Sequence, residues 1–400
     1  MTASDPAPPG TAAVVPGPSA MWLVFVTVGA HMALFGMLTP VMALYAEGFG
    51  VTGSQIGLMI TVFAVGRLAA DIPAGHAAAR IGLHVMLWGG PALCALGSVL
   101  GALATDYPTL LAGRGVQGLG SGLYMTAATI FCAQNSERAT RGTVMARFQA
   151  AMLVGAAFGP VVGGLAADAF GQTGPFWAAA VIGAVTAGLA FAFFRDGPPP
   201  ATGTGHGGDG ALLLIVPFVC VLVVNFAIFL TRTAGQWQMM PLMAAERFGI
   251  GPQEIGLSLT LSALATLAVL PLAGRIVDRV SRPLVITLSL IGAAVALAAI
   301  VLAPSVAILH AGMIAMGVTT GIGGPAVAAY AVDVSPEDRR GPAMGLMRFC
   351  GDLGYLVGPV SLGALVDASG IGEAGGLAVN AAFLAALAGL FALVVSRRRP

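Results

Sequence analysis

Apolar runs of about 20 residues recur from one end of this chain to the other, and each is long enough to carry a helix across some 30 Å of hydrocarbon. Reading the runs between polar or Pro/Gly breaks places twelve spans near 21–43, 55–75, 84–105, 108–131, 143–166, 175–195, 212–237, 255–274, 284–303, 306–331, 342–365 and 375–396. Composition agrees. Charged residues are 9% of the chain and apolar ones 57%, against roughly 25% and 45–50% in soluble domains. The mean hydropathy is +0.91. The expected fold class is therefore an all-α membrane protein.

Lysine is absent, so all 18 basic residues are Arg, and a net charge of +1 leaves no broad basic field for nucleic acid. Cys94, Cys132, Cys220 and Cys350 stand singly in apolar runs, without the paired spacing of a zinc or redox site. No metal or cofactor is expected. Residues 1–20 are rich in Pro, Ala, Gly and Ser and hold no Arg, so they lack the basic region of a secretory signal. They read as a disordered cytoplasmic tail.

With both termini cytoplasmic, twelve Arg fall in cytoplasmic connections or the C-terminal tail (Arg80, Arg138, Arg141, Arg195, Arg275, Arg279, Arg282, Arg339, Arg340, Arg397, Arg398 and Arg399), and only Arg247 falls in an outer connection. That bias follows the positive-inside rule and predicts an inner-membrane protein. The longest polar, Pro/Gly-rich interruption, residues 196–211, lies at the midpoint and reads as a linker. It separates expected six-helix units at 21–195 and 212–396, with a basic tail at 397–400.

Sliding the chain by 199 residues aligns several separate places at once. Phe49, Gly50, Ile56, Gly57, Leu58 and Thr61 meet Phe248, Gly249, Ile255, Gly256, Leu257 and Thr260. Gly75 and Arg80 meet Gly274 and Arg279; Gly155, Gly159, Pro160, Gly164 and Asp168 meet Gly354, Gly358, Pro359, Gly363 and Asp367. Parallel repeats of six helices imply two bundles related by an axis along the membrane normal, with a cavity between them.

Three motifs in these places resemble those of the major facilitator superfamily. GHAAARIGLH after the second span is similar to the family's GxLaDRxGRR loop at Gly75, Arg80 and Gly82; it departs at Ala79, Leu83 and His84. The second-half copy, GRIVDRVSRP, keeps Gly274, Asp278, Arg279 and Arg282. RGVQGLGSG in the fourth span resembles RxxQGxGxA at Arg114, Gln117, Gly118 and Gly120. GAAFGPVVGG in the fifth matches GxxxGPxxGG at Gly155, Gly159, Pro160, Gly163 and Gly164, a motif the family associates with exporting antiporters. The resemblance implies twelve helices in two pseudo-symmetric bundles, a monomer, and alternating access. It also implies that Gly75, Arg80, Gly82, Asp278 and Arg279 serve conformational change.

Ionisable groups inside a bilayer cost roughly 2.5–3.5 kcal/mol each and normally face a cavity or a partner. In the seventh span Asn225, Phe229, Arg232 and Gln236 fall on one helical face, with Trp237, Met239 and Met240 beyond. The fourth span carries Arg114, Gln117, Ser121 and Tyr124; the eleventh, Arg348, Asp352 and Tyr355; the first, His31 with Thr27 and Phe35. These stripes are expected to line the cavity, with Asn225, Arg232, Gln236, Phe229, Phe35, Tyr124, Tyr355 and Trp237 as substrate contacts. Arg67 with Asp71, and Arg348 with Asp352, are either intrahelical i, i+4 pairs or interdomain groups. An Asp71–Arg348 latch and a weaker Arg147–Asp278 contact are the expected gates. Asp352 and His31, with Asp71 third, are the groups whose protonation can change in the membrane, as coupling sites or as satisfied structural polar groups.

The in-span basic groups Arg67, Arg114, Arg147, Arg232 and Arg348 outnumber Asp71 and Asp352, which favours neutral or weakly acidic amphipathic substrates over polycations. The expected function is proton-coupled efflux of a small drug or metabolite. The alternatives are a symporter or facilitator importing a small nutrient and, from another class, a membrane receptor or enzyme. No HExxH or GxxxxGK is present to support an enzyme.

Overall fold

The computed structural model describes residues 18–136, 141–194, 215–336 and 340–396. Among these residues the chain forms twelve long helices and no strand: α1 Pro18–Glu47, α2 Gly53–Ile81, α3 Leu83–Ala102, α4 Tyr107–Gln134, α5 Arg141–Phe170, α6 Gly174–Phe193, α7 Val216–Phe248, α8 Pro252–Arg279, α9 Arg282–Val301, α10 Val306–Asp333, α11 Arg340–Ser369 and α12 Gly372–Ser396. Eleven are long and apolar enough to cross a membrane. The exception is α4, where Arg114, Gln117 and several glycines dilute the apolar residues. Large apolar side chains stand exposed on outer faces, Phe191 at 66% and Val295 at 62% among them; lipid suits such a surface and water does not.

Every expected span has its helix, and most helices run a turn or so further at one or both ends, because capping groups extend them past the apolar run. At α2, Thr52 Oγ1 accepts from Gln55 N at 3.4 Å and Gln55 Oε1 accepts from Thr52 N at 2.9 Å, a reciprocal capping box. At α4, Asp106 Oδ1 accepts from Thr109 N at 2.8 Å. The α2 helix stops at Gly82, whose φ of 85° few other residues adopt. The expected tail 1–20 and the linker 196–211 fall wholly or mostly outside the described residues; α1 already begins at Pro18.

One helix departs from the expected regularity. The α7 helix is α-helical to Leu230, widens into a π segment over Thr231–Met239, and resumes as α-helix at Met240. A π segment bonds i to i+5 and is rare outside functional sites.

The first six helices pack together chiefly through α1 against α5, α3 against α4 and α6, and α2 against α4; the last six do so through α8 and α9 against α10, α9 against α12, and α7 against α11. Between lipid-facing helices the hydrophobic effect contributes little, and close backbone approach takes its place. The α5 motif shows how. A Cβ on Gly155 would collide with the Gly29 carbonyl, one on Gly159 would lie 2.7 Å from the Gly36 Cα, and one on Gly163 would run into the Met37 backbone. Three glycines at four-residue spacing thus seat α5 on α1.

The two halves meet along α5 with α8 and α2 with α11, and these contacts obey the sequence repeat. Gly57 abuts the Pro359 backbone and its counterpart Gly256 abuts that of Pro160; Gly363 meets Gly53, and Gly164 meets Pro252 and Gln253. Thr61 Oγ1 donates to Leu356 O at 2.5 Å, and its counterpart Thr260 Oγ1 accepts from Val161 N at 3.1 Å. All lie toward the starts of α2 and α8 and the ends of α5 and α11, which is the face opposite the start of α1.

Candidate functional site

A cavity of about 350 Å³ lies between the halves. Met32, Phe35, Gly36 and Thr39 of α1 and Leu153, Ala156 and Pro160 of α5 form one wall, and α7, α8, α9 and α10 form the other. The stripe expected on α7 lines it in full: Asn225, Phe229, Arg232, Gln236 and Trp237. Asn225 is held by donating from Nδ2 to Met347 O at 2.7 Å. The π segment explains why Arg232 and Trp237 share this face, since residues five apart stack where hydrogen bonds run i to i+5. The Arg232 guanidinium sits 5.2 Å from the Trp237 ring centre, a cation–π contact. Arg232 is the one charged side chain among the described residues lining the cavity.

A side pocket of about 30 Å³ adjoins it, sharing the walls Phe35, Thr39 and Trp237, and adds Leu38, Met42, Ile60, Arg114 and Tyr355. Tyr355 meets Trp237 edge-on at 5.7 Å. Arg114 is only 5% exposed; its Nη1 donates to Gln117 Oε1 at 2.6 Å, and it lies 4.6 Å from the Phe63 ring centre. Gln117 in turn donates from Nε2 to Ser98 Oγ on α3 at 2.8 Å, while Gly118 lets α4 close onto the Phe63 backbone of α2. Arg67, Arg114, Arg232 and Asp352 all lie within electrostatic reach of the Tyr355 hydroxyl.

The polar stripe of α4 was expected to face the central cavity, but most of it turns into the first bundle. Gln117 reaches α3, and Ser121 Oγ sits 3.2 Å from His31 Nε2. Tyr124 is 1% exposed with its ring 4.7 Å from that of His31. His31 is buried as well, its ring 5.0 Å from Phe35, and does not line the cavity. Gln117 with Ser98 and Ser121 with His31 pair between neighbouring helices, while Arg114 Nε and the Tyr124 hydroxyl are buried without a partner among the described residues. Asp352 is half-buried on α11, outside the cavity wall, and Arg67 is half-buried on α2.

Of the expected gating residues, Arg147 and Arg279 are exposed. The side chains of Asp71, Arg80, Asp278 and Arg348 lie outside the described residues, as do Gly75 and its surroundings, and with them the Asp71–Arg348 and Arg147–Asp278 contacts.

Two features went unnoticed in the sequence. Short hydroxyl side chains line the far wall, Ser262 and Thr266 on α8 and Ser289, Thr319 and Thr320 beyond; Ser262 and Thr266, four apart in an apolar run, were the available signal. The second is Asp367, near the end of α11, whose two carboxylate oxygens accept from Gly53 N at 3.0 Å and Ser54 N at 2.8 Å. It completes the α2 cap from the opposite half. Gln238 Nε2 donates to Gly53 O at 2.7 Å beside it.

The sequence profile described as Major Facilitator Superfamily matches residues 24–231 and 218–400. An uncharacterised MFS-type transporter of Methanocaldococcus jannaschii is 23% identical over 360 residues, covering 88% of this chain and 92% of the relative. The quinolone resistance protein NorA of Staphylococcus aureus is 23% identical over 341 residues, covering 83% and 86%. Among solved structures, an inward-facing, occupied bacterial homologue of the human lysosomal transporter Spinster superposes with a TM-score of 0.76 at 14% identity, covering 95% of this chain and 97% of the other. A POT family transporter in complex with a thioalcohol-conjugated peptide gives 0.75 at 13%, covering 95% and 96%.

Proposed function

The chain belongs to the major facilitator superfamily, and from that premise we propose that it exports a small amphipathic compound in exchange for protons, by alternating access. It is a multi-pass membrane transporter and not an enzyme; the direction, the coupling ion and the substrate are our reading. One observation carries it. The cavity is walled by Phe35, Phe229 and Trp237, carries Asn225, Gln236 and the far-wall hydroxyls as hydrogen-bonding groups, and holds a single guanidinium among the described residues. Aromatic walls with few polar groups suit an adaptable apolar ligand, and a lone cation disfavours a polycationic one.

The arginine bias supports cytoplasmic termini in a cell inner membrane. On that orientation the described contacts between halves lie at the outer face, which supports reading the cavity as the loading state of an exporter. The α5 motif and the relationship to a quinolone resistance protein support efflux. For coupling, Asp352 and His31 remain the groups of choice, with Asp71 behind them, and the protein works as a monomer in this reading.

The test is substrate-panel uptake into everted vesicles with an imposed pH gradient. Uptake that stops when the gradient is collapsed is the expected result. Gradient-driven movement in the opposite sense would replace export with proton symport.

A further inference from the structure

We infer that the side pocket behind Trp237 is an anion subsite, and that it takes the carboxylate of an amphipathic acid whose apolar body lies in the main cavity. The inference rests on the transport reading above and names the substrate class for that site. A guanidinium offers five N–H donors, yet among the described residues Arg114 places Nη1 on Gln117 while its buried Nε has no partner. Burying a cation with donors to spare costs several kcal/mol unless something completes it. Arg232, in cation–π contact with Trp237, has no ion-pair partner among the described residues.

The walls strengthen the case. Phe35, Leu38, Met42 and Ile60 give the pocket an apolar lining, and charge-assisted hydrogen bonds are stronger in such surroundings. The pocket's 30 Å³ is less than a tenth of the main cavity's 350 Å³. It admits a carboxylate head and no aromatic ring, so the ring stays in the 350 Å³ cavity. Arg114 and Tyr355 line the pocket from opposite halves, so an anion held between them would also tie the bundles together. A free halide has the same charge and would fit the same space.

The purified full-length protein, in detergent with HEPES as the buffer anion, is titrated with 2-naphthoate, its uncharged isostere 2-naphthamide, or sodium chloride, and binding is read from the unfolding midpoint. The expected result is naphthoate binding at least tenfold tighter than naphthamide. That preference is lost in Arg232→Gln and Arg114→Gln, weakened in Tyr355→Phe, and kept in Arg114→Lys. Should Arg114→Gln fail to fold, Arg232→Gln and Tyr355→Phe carry the comparison. Equal affinity for acid and amide, chloride binding in place of naphthoate, no naphthoate binding at millimolar concentration, or a preference that survives Arg232→Gln each overturns the proposal. Because binding is measured without transport, a failed export assay leaves this result standing, and the reverse also holds.

Discussion

On the proposed orientation, removing the Asp367 carboxylate should open the outer face, and by an amount the structure lets one work out. Both carboxylate oxygens accept from the first backbone N–H groups of α2, at 3.0 and 2.8 Å, where the positive end of the helix dipole favours an anion. Hydrogen bonds to charged groups contribute about 1.5–3 kcal/mol each when buried, but Asp367 is exposed, so about 0.5–1 kcal/mol each is the appropriate figure. Both bonds cross between halves and exist only while this face is closed. Asp367→Ala should therefore raise the ratio of open to closed outer face about 5–30-fold, from a total of about 1–2 kcal/mol at 1.4 kcal/mol per decade. Asp367→Asn, which keeps an acceptor oxygen, should give about half that free energy. The sequence repeat supplies the control. Asp168 is the counterpart of Asp367, but of the residues corresponding to the two donors Gly53 and Ser54, Pro252 has no N–H to donate and only Gln253 keeps one. Distance distributions between spin labels on the α1–α2 and α11–α12 turns would report the open fraction. An unchanged distribution in Asp367→Ala, or an equal shift in Asp168→Ala, would refute the reasoning.

Three further outcomes follow from particular contacts. Gly57→Val and Gly256→Val place a side chain on the backbone of Pro359 and Pro160, so each should cut transport at least about tenfold with the protein still folded, whereas Gly188→Ala, with nothing within 4 Å, should transport normally. Gln117→Leu strips Arg114 and Ser98 of their shared partner and should destabilise the first bundle by about 1–3 kcal/mol, read as a lowered unfolding midpoint in detergent; an unchanged midpoint would mean another group satisfies Arg114. Asp352→Asn should abolish pH-driven transport and leave substrate binding intact, and retained coupling would remove Asp352 from the mechanism.

How far the chain could be read in advance depended on which physical constraint applied. Twelve helices were legible because hydrocarbon sets a length that apolar runs must meet, and even α4, diluted by Arg114 and Gln117, kept its full 28 residues. The contacts between halves were legible in outline, since residues paired by the 199-residue offset are the ones found in equivalent places: Gly57 against Pro359, Gly256 against Pro160. What helical periodicity could not decide was the direction in which a polar stripe points. A stripe seeks partners, and partners come either from water in a cavity or from a neighbouring helix. On α7 they come from the cavity; on α4, Gln117 finds Ser98 and Ser121 finds His31. Nothing within either helix distinguishes the two cases, because the difference lies in what the adjacent helix offers. The π segment was hidden as well, because the local sequence TRTAGQWQM carries no residue that forces it. Symmetry broke in the same way at the outer face, where one proline at position 252 leaves Asp367 with a cap to make and Asp168 without one. A duplicated fold in which the two closing contacts differ by such a donor has one seam stronger than the other. The α2–α11 seam should then be the last to part when the outer face opens, and the α5–α8 seam, joined through Thr260 and the paired glycines, the first.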